Sequence, residues 1–223
     1  MLIIARHGQS DDSHYHNRSG LRAALAQGVD IISLSSRLTK DNQLVLARYA
    51  HFGNDRREPL LRAMTLKELR RRTAGSKQPV TTLLEALKTI DSDCLVDIEI
   101  NERAAVEPLL TLLHPWLRKK SDWSAFIFSS RSPFVLSLLR KHAPKALLAL
   151  VHRRNPLTFL AWQPLLQLSA VGFHRLHVNS VVIDAAHTLD LLTYAYTIDR
   201  PKAAKKLAAL GIDAIVTDNP EKF

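Results

Sequence analysis

Short apolar runs and helical runs take turns along the whole chain, and that alternation restricts the fold more than any other feature. Strands are expected at 2–6, 31–36, 43–48, 94–100, 125–130, 146–151, 175–179, 191–197 and 214–218. Most are continuous apolar stretches, the pattern of strands covered on both faces. Helices are expected between them, at 18–27, 66–72, 82–89, 103–119, 133–142, 157–168, 181–187 and 201–210. Pro133 and Pro201 suit first helical turns, and Gly211 suits a helix stop. The run 43–48 follows 31–36 through Thr39 to Asn42 and reads as a hairpin return. Repeated βα units that finish on a strand predict an α/β fold. The expected form is a closed (β/α)8 TIM barrel, one domain over 1–223, with a doubly wound open sheet as the alternative. Loose stretches at 54–65 and 73–80 predict a small insertion, roughly residues 49–80, after the second strand.

With 46% hydrophobic and 23% charged residues in 223, the chain has a globular composition and enough length for a sizeable core. Cys94 is the only cysteine, which rules out an internal disulfide and a cysteine-rich zinc site. No His-x-x-x-His spacing falls on one helix, so no zinc site is expected. The apolar start, residues 1–5, is shorter than the ~7–15 residues of a signal-peptide core, and a reducing, cytoplasmic setting is expected. Residues 155–173 carry no charged side chain and approach the ~18–20 residues that span a bilayer. They include Pro156, Gln163, Pro164 and Gln167, and read instead as a helix with an apolar outer face.

In such a barrel the chemistry sits at the strand C-termini. Those ends are Arg6 and His7; Ser33 and Ser35; Arg48; Asp97 and Glu99; Ser129, Ser130 and Arg131; His152, Arg153 and Arg154; His177 and Asn179; Tyr196; and Asp218. This rim is rich in guanidinium and hydroxyl groups and poor in carboxylates. A planar guanidinium fork matches phosphate oxygens.

At these positions the sequence resembles the glycerophosphodiester phosphodiesterase family. The start LIIARHG is similar to the family's first strand, which ends in His-Arg-Gly. Residues 28–46, GVDIISLSSRLTKDNQLVL, are similar to its second strand, Leu-Thr-Lys-Asp-Gly turn and return strand. TLKEL at 65–69, VTTLLEAL at 80–87 and DIEIN at 97–101 are similar to its insertion, next helix and Ile-Glu-Ile-Lys strand. The tail, YAYTIDRP and AALGIDAIVTDNP within 194–220, is similar to its last two βα units. The resemblance covers nearly the whole chain and implies the phosphodiesterase type of barrel.

It also implies a site in which a divalent cation is held by a Glu after the first strand, a Glu-x-Asp on the second and a Glu on the third. Two His serve there as acid and base, and an Arg and a Lys hold phosphate. In this chain the Glu-x-Asp positions are Ser33 and Ser35, the first Glu falls on Tyr15 or His16, and Glu99 alone survives as a metal ligand. The two His positions are Arg6 and Arg48, the Arg is His7, and the Lys is Asn101. A hard divalent cation wants about six or more oxygen ligands, and serines do not replace carboxylates.

The expected function is therefore a glycerophosphodiester phosphodiesterase-like protein of phospholipid metabolism. It would hold a phosphate or phosphodiester headgroup without a cofactor, with weak or no family-type hydrolysis. Arg6, His7, Arg48, Arg131, Ser33, Ser35, Asn179 and Tyr196 are the expected binding residues. Each charge-assisted hydrogen bond would contribute ~1.5–3 kcal/mol. The alternative is an active hydrolase with a rearranged site, using His7 and Glu99 and a divalent cation, Mg²⁺ or Ca²⁺. Asp97 and Glu99 share one strand face, and His7, His16 or His51 nearby would complete a relocated metal site. His51 is otherwise a surface loop residue, and Tyr196 either walls the pocket or packs in the core. A remoter alternative is histidine-phosphatase chemistry, since Arg6-His7-Gly8 also resembles that family's Arg-His-Gly motif, although no late His has the partner context that chemistry needs.

Lys plus Arg is 31 and Asp plus Glu is 21, a formal net charge of +10. The basic clusters are spread over many helices without aromatic interleaving or a reading-helix motif, so no specific nucleic acid is expected. Charge beside the apolar helix 157–168 suggests docking on an anionic membrane surface with Phe159 and Trp162 as anchors. A neighbouring helix or a homodimer is the other expected cover for that face.

Overall fold

The structure, a computed structural model, describes residues 1–6, 18–52, 56–75, 79–90, 94–118, 120–152 and 154–223. Nine strands run in chain order: β1 (Leu2–Arg6), β2 (Ile31–Leu38), β3 (Leu44–Leu46), β4 (Leu95–Glu99), β5 (Phe126–Ser130), β6 (Leu147–His152), β7 (Ala170–His174), β8 (Leu192–Tyr196) and β9 (Ala214–Thr217). Eight of them pair in parallel in the order β1-β9-β8-β7-β6-β5-β4-β2, and β1 pairs with β2 to close the ring. β3 returns antiparallel along β2. The open-sheet alternative falls with that closure; His7, on which the histidine-phosphatase alternative rests, lies outside the described residues.

The helices are α1 (Arg18–Ala26), α2 (Leu66–Thr73), α3 (Leu83–Leu87), α4 (Val106–Leu113), α5 (Pro133–His142), α6 (Phe159–Leu166), α7 (Ser180–His187) and α8 (Pro201–Ala209). Their ends follow local chemistry. Thr65 and Thr82 form capping boxes with Glu68 and Glu85, each satisfying two backbone donors of a first turn. Pro133 and Pro201 open α5 and α8, and Gly211 stops α8 at φ 92°, a conformation that an L side chain resists. The expected helix over 103–119 is shorter: a 3₁₀ turn (Arg103–Ala105) precedes α4, and His114 before Pro115 ends it.

One strand lies elsewhere than expected. β7 is Ala170–His174, not 175–179. The uncharged stretch 155–173 is thus not one helix but a 3₁₀ turn (Pro156–Thr158), α6 and most of β7. Pro164 lacks the N–H to continue the ladder, and Gln167 turns left-handed at φ 47°. Arg140 then donates to the carbonyls of Leu166 and Gln167, taking over bonds that another turn of α6 would have made, and also to the carbonyl of Pro144 beyond α5.

Alternation along the strands sorts side chains into two apolar shells. The outer shell lies between sheet and helices and holds the fully buried Phe128, Phe159 and Phe173 with Leu34 and Ile98. Each such side chain stabilises by roughly 1.5–3 kcal/mol. The bore is filled at its lower end by Ile4, Ile31, Ala149, Ala170 and Ala214. Tyr194 lies above them, and its ring passes so close to Gly172 that a Cβ there would overlap it. A third cluster, Val45, Ala47, Leu61, Met64, Leu69 and Val80, lies under the segment between β3 and α3.

Candidate functional site

The period of two that builds the bore also aims its polar residues at the mouth. Ile31, Ser33, Ser35 and Arg37 share one face of β2, and Leu95, Asp97 and Glu99 share one face of β4. Parallel register sets Arg6 beside Ser33, Ser33 beside Asp97, and Ser35 beside Glu99, which in turn neighbours Ser129. A cleft of about 600 Å³ opens above this layer.

Arg6 sits deepest among the cations. It donates to Thr197 Oγ1 at 2.7 Å and lies 3.4 Å from Asp218 Oδ1. Burial lowers its pKa; Asp218 opposes that shift, and the charges of Arg48 and Arg131 add to it. Those three guanidiniums therefore feel one another across the mouth, a repulsion that a bound anion would relieve.

The two carboxyls are occupied. Glu99 accepts Ser35 Oγ at 2.9 Å on one oxygen, and on the other Asn101 Nδ2 at 2.9 Å, with Arg131 Nε 3.5 Å away. Burial works to raise its pKa, but Arg131, Asn101, Ser35 and Arg37 outweigh it and hold the group ionised. Asp97 takes the Ser33 hydroxyl at 2.8 Å. Its burial pushes the pKa up to about 7 against the pull of the Ser129 and Ser33 hydroxyls, with Glu99 adding to the rise. Its Oδ1 makes no hydrogen bond, which costs a neutral carboxyl far less than a carboxylate. Tyr194, below the pair, is held protonated by burial and by both acids.

Of the residues expected from the sequence, Arg6, Ser33, Ser35, Arg48, Glu99, Arg131 and Tyr196 all line this cleft. Tyr196 contributes a ring wall, stacked edge-on with His174 at 5.7 Å, while its hydroxyl donates to the His152 carbonyl at 2.6 Å. Asn179 does not line it: with β7 ending at His174, Asn179 becomes the N-cap of α7 and accepts from Val182 N. His152 turns outward beneath α6, its ring stacked near Phe159 and Phe173. His7, Tyr15 and His16 lie outside the described residues.

The sequence reading missed Arg37, Arg56, His174 and Arg175 as lining residues, and of its two placements for His51, near the site or on a surface loop, the cleft lining has the first. Arg37 had a signal, since it continues the inward parity of Ser33 and Ser35. His174 and Arg175 were hidden by the misplaced strand. His51 is brought over the mouth by a bridge to Leu60, and its Nδ1 lies 2.8 Å from the Glu58 carbonyl. A carbonyl only accepts, so Nδ1 carries the proton and Nε2 of the neutral ring keeps its lone pair.

The donor set does not fit a divalent cation. Both oxygens of Glu99 are taken, Asp97 stays largely protonated below neutrality, and the neighbouring strand offers the hydroxyls of Ser33 and Ser35 rather than carboxylates. Among the described residues no three His, Cys, Asp or Glu side chains converge.

Comparison with known proteins agrees with this architecture. The model of the glycerophosphoryl diester phosphodiesterase family matches residues 18–222. A glycerophosphodiester phosphodiesterase of Caldanaerobacter subterraneus is 25% identical over 232 residues, covering 99% of this chain and 95% of its own length. An Oleispira antarctica phosphodiesterase, solved with its product sn-glycerol-3-phosphate, superposes with a TM-score of 0.85 at 19% identity, over 100% of this chain and 94% of that one. A glycerophosphodiester phosphodiesterase from Thermotoga maritima gives 0.81 at 21% identity, over 100% and 96%. With the family model matching nearly the whole length of a closed eight-stranded barrel, the chain belongs to the glycerophosphoryl diester phosphodiesterase family.

Proposed function

We propose that this chain binds a phosphate or phosphodiester group, free or as a lipid headgroup, at the barrel mouth through fixed arginines, and that metal-dependent hydrolysis of the family type is weak or lost. The observation that carries this reading is the charge of the lining: among the described residues six arginines, Arg6, Arg37, Arg48, Arg56, Arg131 and Arg175, line the cleft with two acids, Asp97 and Glu99, while Asp218 and Glu102 outside the lining pair with Arg6 and Arg37. Positive charge that a cation would supply elsewhere is here built into side chains, and a guanidinium fork holds phosphate oxygens in a set orientation. The sn-glycerol-3-phosphate held by the Oleispira barrel is of the chemical class such a mouth would accept. Ser33 and Ser35 orient the acids beneath, and Tyr196 and His174 wall the side away from them.

Calorimetry with inorganic phosphate, sn-glycerol-3-phosphate and a glycerophosphodiester, each with and without EDTA, tests it. Millimolar or tighter binding that is indifferent to EDTA is expected. Absence of binding at millimolar ligand rejects the pocket.

One observation favours a second reading, an acid–base hydrolase with a rearranged site: His51 is oriented by the Glu58 carbonyl with Nε2 left as a base, on the wall of the same cleft. Release of glycerol phosphate in the presence of Mg²⁺, Ca²⁺ or Mn²⁺ separates the possibilities. Metal-stimulated turnover abolished by Glu99→Gln would establish the family mechanism. Metal-independent turnover abolished by His51→Gln would establish the rearranged one.

A further inference from the structure

The mouth has a second property that phosphate binding does not use. From residue 123 to residue 183 the sequence contains no Asp or Glu, yet it contains Arg131, Arg140, Lys141, Lys145, Arg153, Arg154 and Arg175. This stretch supplies β5, β6, β7 and the helices that follow them. Of the six large apolar residues that are exposed in it, five gather at one end, and Leu165 in the last turn of α6 lies at the other. Phe134 is the second residue of α5, Leu157 lies in the turn before α6, Leu160 is the second residue of α6, Leu176 follows β7, and Val181 is the second residue of α7. Because each follows the C-terminal end of its strand, all five stand on the face where the cleft opens. Phe134 is 62% exposed, Leu176 75% and Val181 67%. Arg154 and Arg175 are exposed among them.

We propose that this crown docks the barrel, mouth first, onto an anionic lipid bilayer. Charge complementarity selects that occupant. A second copy of the chain would set one acid-free sector against another. The apolar residues stand on separate loop tips and first turns rather than in one groove, so each would enter the headgroup region on its own while the arginines meet lipid phosphates. The anchors differ from those expected from sequence: Phe159 is fully buried, and half-buried Trp162 lies behind Phe134, ring centroids 5.5 Å apart. The docking stands apart from the phosphate pocket, since Phe134, Leu176 and Arg154 do not line the cleft.

Co-sedimentation of the full chain with equimolar phosphatidylglycerol–phosphatidylcholine vesicles, against pure phosphatidylcholine, tests the proposal at low and high ionic strength. Binding is expected only to the anionic vesicles, weakening with salt, with a blue shift of tryptophan emission as Trp162 is covered. Phe134→Ser combined with Leu176→Ser should lower the partition at least tenfold. Arg154→Glu, a two-charge change, should lower it more than the roughly fivefold that one surface arginine contributes. Lys141→Glu makes the same change at the far end of α5 and should alter binding less than twofold. Circular dichroism confirms that each variant folds, and phosphate calorimetry of the same variants should be unchanged. Three results would overturn the proposal: no binding to anionic vesicles, an equal loss from Lys141→Glu, or a dimer in solution that Phe134→Ser with Leu176→Ser dissolves.

Discussion

The two sides of the barrel mouth handle buried polarity in opposite ways. On the β2–β4 side every acid is tied: Ser33 to Asp97, and Ser35, Asn101 and Arg131 to Glu99. On the β6–β7 side acids are missing altogether, and the buried polar group is a histidine kept neutral. His152 has its Nδ1 2.8 Å from Thr158 Oγ1, while Nε2 is buried without a partner, and burial lowers its pKa to about 4. On the first side Glu99 keeps its charge because donors surround it; on the second His152 loses its charge because water is withdrawn. A site that must hold an anion needs the first arrangement, and a face that rests against apolar material needs the second.

The largest effect that would break this contrast is at Arg6. Arg6→Met should weaken phosphate binding about tenfold to a hundredfold in calorimetry, the loss of one charge-assisted contact. An affinity unchanged within twofold would mean that Arg6 serves only Asp218. Next is Gly172→Ala, where the new methyl overlaps the Tyr194 ring. Thermal or urea unfolding should show a loss of about 1–3 kcal/mol, and shrinking Tyr194 to Leu in the same variant should recover part of it.

The two sides also differ in how they answer pH. Asp97 keeps its proton to about pH 7 in the folded chain but releases it near 3.8 when unfolded, so its contribution to stability falls as pH rises between those values. His152 refuses a proton until about pH 4 while the unfolded ring takes one near 6.5, so its contribution falls as pH drops through that range. Between roughly pH 4 and 6.5 the two slopes oppose each other. Asp97→Asn should therefore make stability rise more steeply with pH, and His152→Gln should make it fall, each by up to about 1.4 kcal/mol per pH unit. Denaturant titrations across that range measure both, and parallel curves for both variants and the parent chain would refute the assignment. The smallest effect is at Glu99. Glu99→Gln removes the negative charge beside Arg131 and should tighten phosphate binding by a few-fold; a clear weakening would show that the acid supports the ligand through a group it holds.

Most of the barrel was legible because its strands are long apolar runs bounded by Pro, Gly and Thr at helix ends. The exception is instructive. In β7, Ala170–His174, Ala170 and Gly172 interrupt the strand signal of Val171 and Phe173, and Gly172 is the residue that fits against Tyr194. A helix that ends at the left-handed Gln167, with Arg140 from another helix on its last carbonyls, was not visible locally. The same slip moved one wall of the site, trading His174 and Arg175 for His177 and Asn179. On β1, β2, β4 and β5 the expected strand ends and the family resemblance named the same residues, and Arg6, Ser33, Ser35, Glu99 and Arg131 line one cleft. His51 depended on its bridge to Leu60, a pairing that no spacing announces.

Tyr194 has one more consequence. With its ring wedged across the bore above a floor of Ile4, Ile31 and three alanines, the chamber is a blind well. Nothing passes through it, so whatever arrives and whatever departs must share a single doorway and wait for each other.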